Sequence, residues 1–245
     1  MKLFKLGVVF LLIFGYLYFS YARFYHIIGE KNLKSPYHEA ALVINNPKAI
    51  GAITYVALGD SLTAGVGSSA IHSTFVYQYA LNLSKTAQKV SVLNLGQPGG
   101  TTVDLIGNQL SKTIDAKPNY ITLLIGTNDI HNKRFLNDFH DKYQYILNQL
   151  LNKTTAQIIV INIPYLGANQ VVYLPFNLLL NYRINQFNHV IESLVNQAST
   201  KRITYIDLYK ATYTRAQQDP TYYASDLFHP SESSYIYWGQ IINAR

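Results

Sequence analysis

Short apolar runs alternate with segments of helical spacing along most of this chain, and that alternation constrains its fold more than any other feature. The runs are Thr54 to Leu58, Val90 to Leu95, Tyr120 to Ile125, Ile158 to Ile163 and Ile203 to Ile206. A strand buried on both faces reads as such a short, nearly continuous apolar run. Between the runs, Phe75, Val76, Tyr79, Ala80 and Leu83, then Val103, Ile106 and Leu110, recur at helical spacing. Phe135 to Leu151 and Asn177 to Ala198 read as longer helices, and Ser231 to Ala244 as a closing one. Strands alternating with helices across short turns rich in Gly and Asn describe an α/β protein, with a central parallel sheet covered by helices on both faces.

The chain has 245 residues, 49% of them hydrophobic, which suits one globular domain plus a small appendage. Lys and Arg (20) outnumber Asp and Glu (13), giving a formal net charge of +7 and a pI near 9.3. The cations are scattered, with no run of five or more like charges, so a diffuse attraction to an anionic surface such as a membrane or cell wall is expected and a nucleic-acid partner is not. With Cys at 0, disulfides, thiolate catalysis and cysteine-ligated zinc are excluded.

The N-terminus carries Lys2 and Lys5, and no charged residue follows from Leu6 until Arg23. At a rise of about 1.5 Å per residue that stretch makes roughly 25 Å of helix, a little under a hydrocarbon core of about 30 Å. Tyr16, Tyr18, Tyr21, Phe24 and Tyr25 cluster at its far end, as aromatic residues do at a membrane interface. Residues 1–25 are therefore expected to be a transmembrane anchor or a signal segment. The small-x-small pair Ser20 and Ala22 also offers a cleavage point after Ala22, and cleavage there would release a secreted domain. An uncleaved anchor, crossing once with the catalytic domain outside the cytoplasm, is the preferred expectation. Residues 26–52, with Pro36 and Pro47 and neither helical nor strand periodicity, read as a stalk, and residues 53–245 as the domain.

In an open α/β sheet, chemistry gathers beyond the carboxyl ends of the strands. The first strand ends at Gly59-Asp60-Ser61-Leu62, the second at Asn94-Leu95-Gly96-Gln97-Pro98-Gly99, and the third at Gly126-Thr127-Asn128-Asp129. Near the C-terminus stands Asp226-Leu227-Phe228-His229-Pro230, and Pro230 places His229 in the loop just ahead of the closing helix. Parallel strands bring these turns to one edge. There Ser61 can act as nucleophile, His229 as the general base that takes its proton, and Asp226 as the carboxylate that fixes the imidazole. A backbone N–H at Gly99 and the Asn128 amide can both donate to a developing oxyanion.

These four blocks, in this order, resemble the SGNH or GDSL hydrolases, serine esterases and lipases (GDSL-like lipase/acylhydrolases) named for their Ser, Gly, Asn and His. The resemblance spans about Thr54 to the C-terminus. It implies a three-layer α/β/α flavodoxin-like sandwich with a parallel sheet of about five strands. It further implies Ser61 as nucleophile, Asp226 and His229 completing the triad, and the Ser61 and Gly99 backbone amides with the Asn128 side chain as oxyanion donors. Pro98 departs from the family pattern, which usually has a small residue before the oxyanion glycine.

Other motifs fail. Thr63 stands where a Gly-x-Ser-x-Gly elbow needs its second glycine. Gly65 to Ala70 matches a dinucleotide fingerprint only loosely and begins too far beyond its strand. His26, His38, His72, His131, His140 and His189 show no metal-ligand spacing, so neither metal nor cofactor is expected; His131, close after the third block, could line the pocket but reads rather as a solvated loop residue. Asp60 and Asp129 read as turn-bonding residues. The expected activity is hydrolysis of a carboxylic ester, from a lipid or another acyl donor, through an acyl-enzyme on Ser61 in a monomer tethered to the membrane. The alternatives are O-deacetylation or acyl transfer on a cell-wall or surface polysaccharide, or a non-catalytic binding role. The apolar segment Pro164 to Leu180 is expected either to line the cleft or to cap the core.

Overall fold

A computed structural model describes residues 2–29, 33–37, 41–168 and 170–244. In chain order the elements are α1 (Lys2–Gly29), β1 (Ala41–Asn45), β2 (Ala52–Gly59), α2 (Phe75–Leu83), β3 (Lys89–Asn94), α3 (Thr102–Asn108) and α4 (Leu110–Asp115). They continue with β4 (Tyr120–Leu124), α5 (Thr127–His131), α6 (Leu136–Lys153), β5 (Gln157–Ile161), α7 (Phe176–Ala198), β6 (Ile203–Ile206), α8 (Leu208–Gln218) and α9 (Glu232–Asn243).

The strands form one sheet in the order β1-β3-β2-β4-β5-β6. All neighbours are parallel except β1, which runs antiparallel along β3 from Ala41 opposite Leu93 to Asn45 opposite Lys89. The five parallel strands are those marked by the apolar runs. The sixth, β1, adds an antiparallel edge to them and lies in the stretch that reads as a stalk. Its five residues are alternately exposed and half-buried, as suits an edge strand, and four adjacent apolar residues leave no period-2 signal to find. The N-terminal helix also runs on to Gly29, past the expected end of the anchor. Residues 30–32 and 38–40 of the expected stalk, among them Lys31 and His38, lie outside the described residues.

Alternation along the strands divides the core in two. Tyr55 and Ala57 of β2 face one way, into a layer built by Phe75, Val76 and Tyr79 of α2 with Tyr235 and Trp238 of α9. Val56 and Leu58 face the other way, against Leu105 of α3, Phe139 and Tyr143 of α6 and Phe187 of α7. The result is the three-layer α/β/α architecture.

The chain leaves β2 to one side for β3 and returns across it to β4, so a crevice opens beyond the carboxyl ends of β2 and β4, where ligands bind in such sheets. Two buried side-chain amides close backbone groups at strand ends. Gln109 donates to the Gly59 carbonyl (2.8 Å) and accepts from the Gly59 N–H (3.0 Å). Asn188 does the same for Ile163, at 2.8 and 2.9 Å. An unpaired backbone group in either place would cost about 1–3 kcal/mol.

Candidate active site

Ser61 follows β2 directly, in a turn whose amides find partners locally. The Asp60 carboxylate accepts from the Leu62 N–H (2.9 Å), and Ser61 itself accepts at its carbonyl from the Val66 N–H (3.0 Å). Asn94, at the end of β3, ties the next turn to this one. Its amide donates to the Thr63 carbonyl and its oxygen accepts from the Gly96 N–H, both at 2.9 Å. Gly99 lies further along that turn with φ of +77°, a conformation that disfavours any side chain, while the space around the missing Cβ is open.

Asn128 sits in the first turn of α5, and its amide donates to the Gly100 carbonyl at 2.9 Å, linking the second and third turns. Asp129 is fully buried and receives both the Thr102 N–H (3.0 Å) and the Thr102 hydroxyl (2.6 Å), with Arg134 at 3.0 Å as its ion-pair partner.

The C-terminal loop is held by its own pairing. Tyr223 bridges Pro230, Ala224 donates to the His229 carbonyl (2.8 Å), and Ser231 donates to the Tyr222 carbonyl (2.9 Å). Leu227 adopts a left-handed φ of +56°, which turns the chain so that the Phe228 and His229 amides both donate to Asp226 Oδ1 at 3.0 Å. Helix α9 fixes the base of the loop, with Trp238 donating to the Tyr222 hydroxyl (2.9 Å) and the Tyr235 hydroxyl to the Val66 carbonyl (2.8 Å). Gly67 admits the loop. A Cβ there would lie 2.5 Å from the Pro230 carbonyl oxygen and 2.9 Å from His229 Cβ.

Across this edge, His229 Nδ1 lies 2.6 Å from Asp226 Oδ2 and His229 Nε2 lies 2.9 Å from Ser61 Oγ. Ser61 and Asp226 are both buried. Burial alone would raise the Asp226 carboxyl, but the His229 hydrogen bond and charge, with the Phe228 and His229 amides, hold it below the usual range. An imidazole held between an ionised carboxylate and a hydroxyl is arranged to take the hydroxyl proton. Asp60 is different: burial, with the nearby Asp129 charge adding to it, pushes its carboxyl up to about 7.

The structure thus brings Ser61, Asp226 and His229 into one hydrogen-bonded line and sets Gly99 and Asn128 on the turns flanking it. Gln109, Thr102 and Gly67, which hold those turns, carry no motif of their own. His131 is not the solvated residue expected. It stacks on Phe24 of α1, with ring centroids 5.8 Å apart and planes 7° apart, and meets Phe228 edge-on at 6.1 Å. Burial lowers its pKa. Among its described residues the segment 164–180 divides: Tyr165, Val171 and Val172 are core, Leu166 is core and also reaches an apolar cavity, and Phe176, Leu179 and Leu180 line that cavity with His131. Among the described residues no group of three or more His, Asp or Glu side chains is arranged to hold a metal ion.

A mainly parallel sheet between two helical layers, with these turns at its carboxyl edge, is the fold of SGNH-type hydrolases. A family model described as "GDSL-like Lipase/Acylhydrolase family" matches residues 57–235, and the chain belongs to that family. Solved structures agree in fold. An acetylxylan esterase, Axe2, from Geobacillus stearothermophilus superposes with a TM-score of 0.62 at 18% identity, covering 80% of this chain and 94% of that one. A lipase/acylhydrolase from Enterococcus faecalis gives 0.61 at 21% identity, covering 78% and 94%. LAE5, an α/β hydrolase enzyme from the metagenome of Lake Arreo, gives 0.62 at 18% identity, covering 80% and 95%. A search of curated proteins returns no match.

Proposed function

We propose that this hydrolase cleaves carboxylic esters through an acyl-enzyme on Ser61. The observation that carries the reading is the unbroken line from Asp226 through His229 to Ser61, with both His229 ring nitrogens engaged. His229 Nε2 takes the hydroxyl proton as Ser61 Oγ bonds to the ester carbonyl carbon, and the carbonyl electron pair moves onto oxygen. The Ser61 and Gly99 N–H groups and the Asn128 amide donate to that oxyanion. The pair then returns, the C–O bond to the alcohol breaks, and the alcohol leaves with the proton from His229. Water repeats the sequence on the acyl-enzyme and releases the carboxylic acid, restoring the Ser61 hydroxyl. Asp226 holds the tautomer that leaves Nε2 free to accept.

The domain is held at a membrane by its N-terminal helix. Lys5–His26, 22 residues, is long and apolar enough to cross one, a property that a signal sequence would share. Lysines at 2 and 5 favour a cytoplasmic N-terminus, with the catalytic domain on the opposite side.

The test is labelling of the full chain by a fluorophosphonate probe, read by mass spectrometry of the modified peptide. The expected result is one adduct on Ser61, absent from Ser61→Ala and from heat-denatured protein. An unlabelled native protein, or an adduct elsewhere, would overturn the reading in favour of a binding role.

A further inference from the structure

The end of α1 does not stand clear of the domain. Ser20 is fully buried and donates to the Tyr173 carbonyl (3.1 Å), and Arg23 donates to the Gln170 carbonyl (3.1 Å) while its guanidinium lies 4.7 Å over the Tyr173 ring. Tyr21 packs on Phe176 at 5.6 Å, and Phe24 stacks on His131. Between this helix end and the domain lies a cavity of about 220 Å³. Tyr21 and Phe24 of α1 wall it on one side, and Ile130, Leu179, Leu180 and Phe228 on the other.

Two relationships say what such a cavity can take. The first is its distance from the chemistry. Phe228 immediately precedes His229, their rings 5.1 Å apart, and Thr127, which also lines the cavity, immediately precedes Asn128. A chain attached to the carbonyl carbon at Ser61 therefore has an apolar space within reach. The second is what lies on the other side. From Leu6 to Phe19 the apolar side chains of α1 other than the half-buried Leu17 are exposed, Leu6 at 72% and Leu12 at 69% among them, a surface that suits the apolar interior of a membrane. Leu178 and Leu179 in the first turn of α7, and Leu174 just ahead of it, are likewise exposed, and Leu179 lines the cavity. Water would wet neither surface favourably, and a bilayer would cover both.

We infer that this cavity is the acyl-chain site for an ester drawn from the membrane, and that the N-terminal helix is one of its walls as well as the tether. The inference rests on the Ser61 reading and adds the substrate class, a lipid acyl ester. Burial lowers the His131 pKa, which favours the neutral form of that imidazole and suits it to an apolar lining. Each methylene taken into such a space raises kcat/KM by up to about fourfold.

The experiment compares kcat/KM for p-nitrophenyl octanoate and acetate with the full chain in detergent, for the parent and three variants. The parent is expected to prefer octanoate by at least about tenfold. Phe24→Ala, which opens the wall from α1, and Leu180→Trp, which fills the cavity from the domain, are each expected to cut the octanoate-to-acetate ratio by about tenfold or more. Phe10→Ala, on the exposed part of α1, is expected to keep the parent ratio. Equal ratios in the parent, Phe24→Ala and Leu180→Trp, or an equal loss in Phe10→Ala, would overturn the inference. So would an intact mass showing that the membrane-purified chain starts at Arg23, because Tyr21 would then be gone. In each of those cases Ser61 still labels with fluorophosphonate; failure of labelling is what sinks the esterase reading itself.

Discussion

Thr102, the first residue of α3, gives both its backbone N–H and its hydroxyl to the fully buried carboxylate of Asp129, at 3.0 and 2.6 Å. That pair joins the turn carrying Gly99 to the turn carrying Asn128, and Arg134 balances the buried charge. Asp129→Ala leaves the two buried Thr102 donors unpartnered, while Arg134 keeps its pairing with Asp138, so stability should fall by about 1–3 kcal/mol for each lost acceptor. Because the proposed oxyanion donors Gly99 and Asn128 sit on the joined turns, kcat should fall by tenfold or more with little change in KM. Thermal unfolding and p-nitrophenyl acetate kinetics test this; an unchanged kcat in a folded variant would break the proposed link between the two turns.

Asp226→Asn keeps the size of the side chain and removes its charge. His229 then loses the partner that fixes its tautomer, and kcat should drop on the order of a thousandfold to ten-thousandfold at neutral pH. The Phe228 and His229 amides still find an acceptor, so the melting temperature should move by only a few degrees. A loss below tenfold would mean that Asp226 acts as a loop cap alone.

The buried Asp60 gives a pH signature of definite sign. Its carboxyl is pushed up to about 7 by burial and the nearby Asp129 charge, against about 3.9 in an unfolded chain. Between those values the folded protein holds a proton that the unfolded chain has lost, so this group's contribution to stability falls as pH rises from about 4 through about 7. Asp60→Asn removes that titration. The melting temperature of the variant relative to the parent should therefore climb from pH 5 to pH 8. A difference that stays flat over that interval would show that Asp60 is already ionised at pH 5.

Much of this architecture is legible in the residues themselves. Buried parallel strands leave unbroken apolar runs, and Val56 to Leu58 or Ile158 to Ile161 admit few other readings. The turns at Ser61, Gly99 and Asn128 could be set on one edge because the parallel strands before them all end there, and Pro230 sets His229 in a loop ahead of the closing helix. What escaped has a common cause. Strand β1 is an exposed edge whose pairing depends on β3, and α8 has only a sparse apolar face, with Leu208, Thr212 and Ala216 buried. Gln109 and Asn188 look like any solvated amide until Gly59 and Ile163 are seen against them. The docking of Ser20, Arg23 and Phe24 left no trace, because an apolar helix reads as a membrane span whether or not its end also packs on a protein.

Turnover of p-nitrophenyl acetate by the full chain, with Ser61→Ala measured beside it, tests the central claim most directly. The account predicts saturable turnover by the parent and a loss of at least a thousandfold in the variant, whose folding should be intact because the hydroxyl makes no structural bond other than that to His229 among those described. A folded Ser61→Ala protein that still hydrolyses the ester within tenfold of the parent would contradict it.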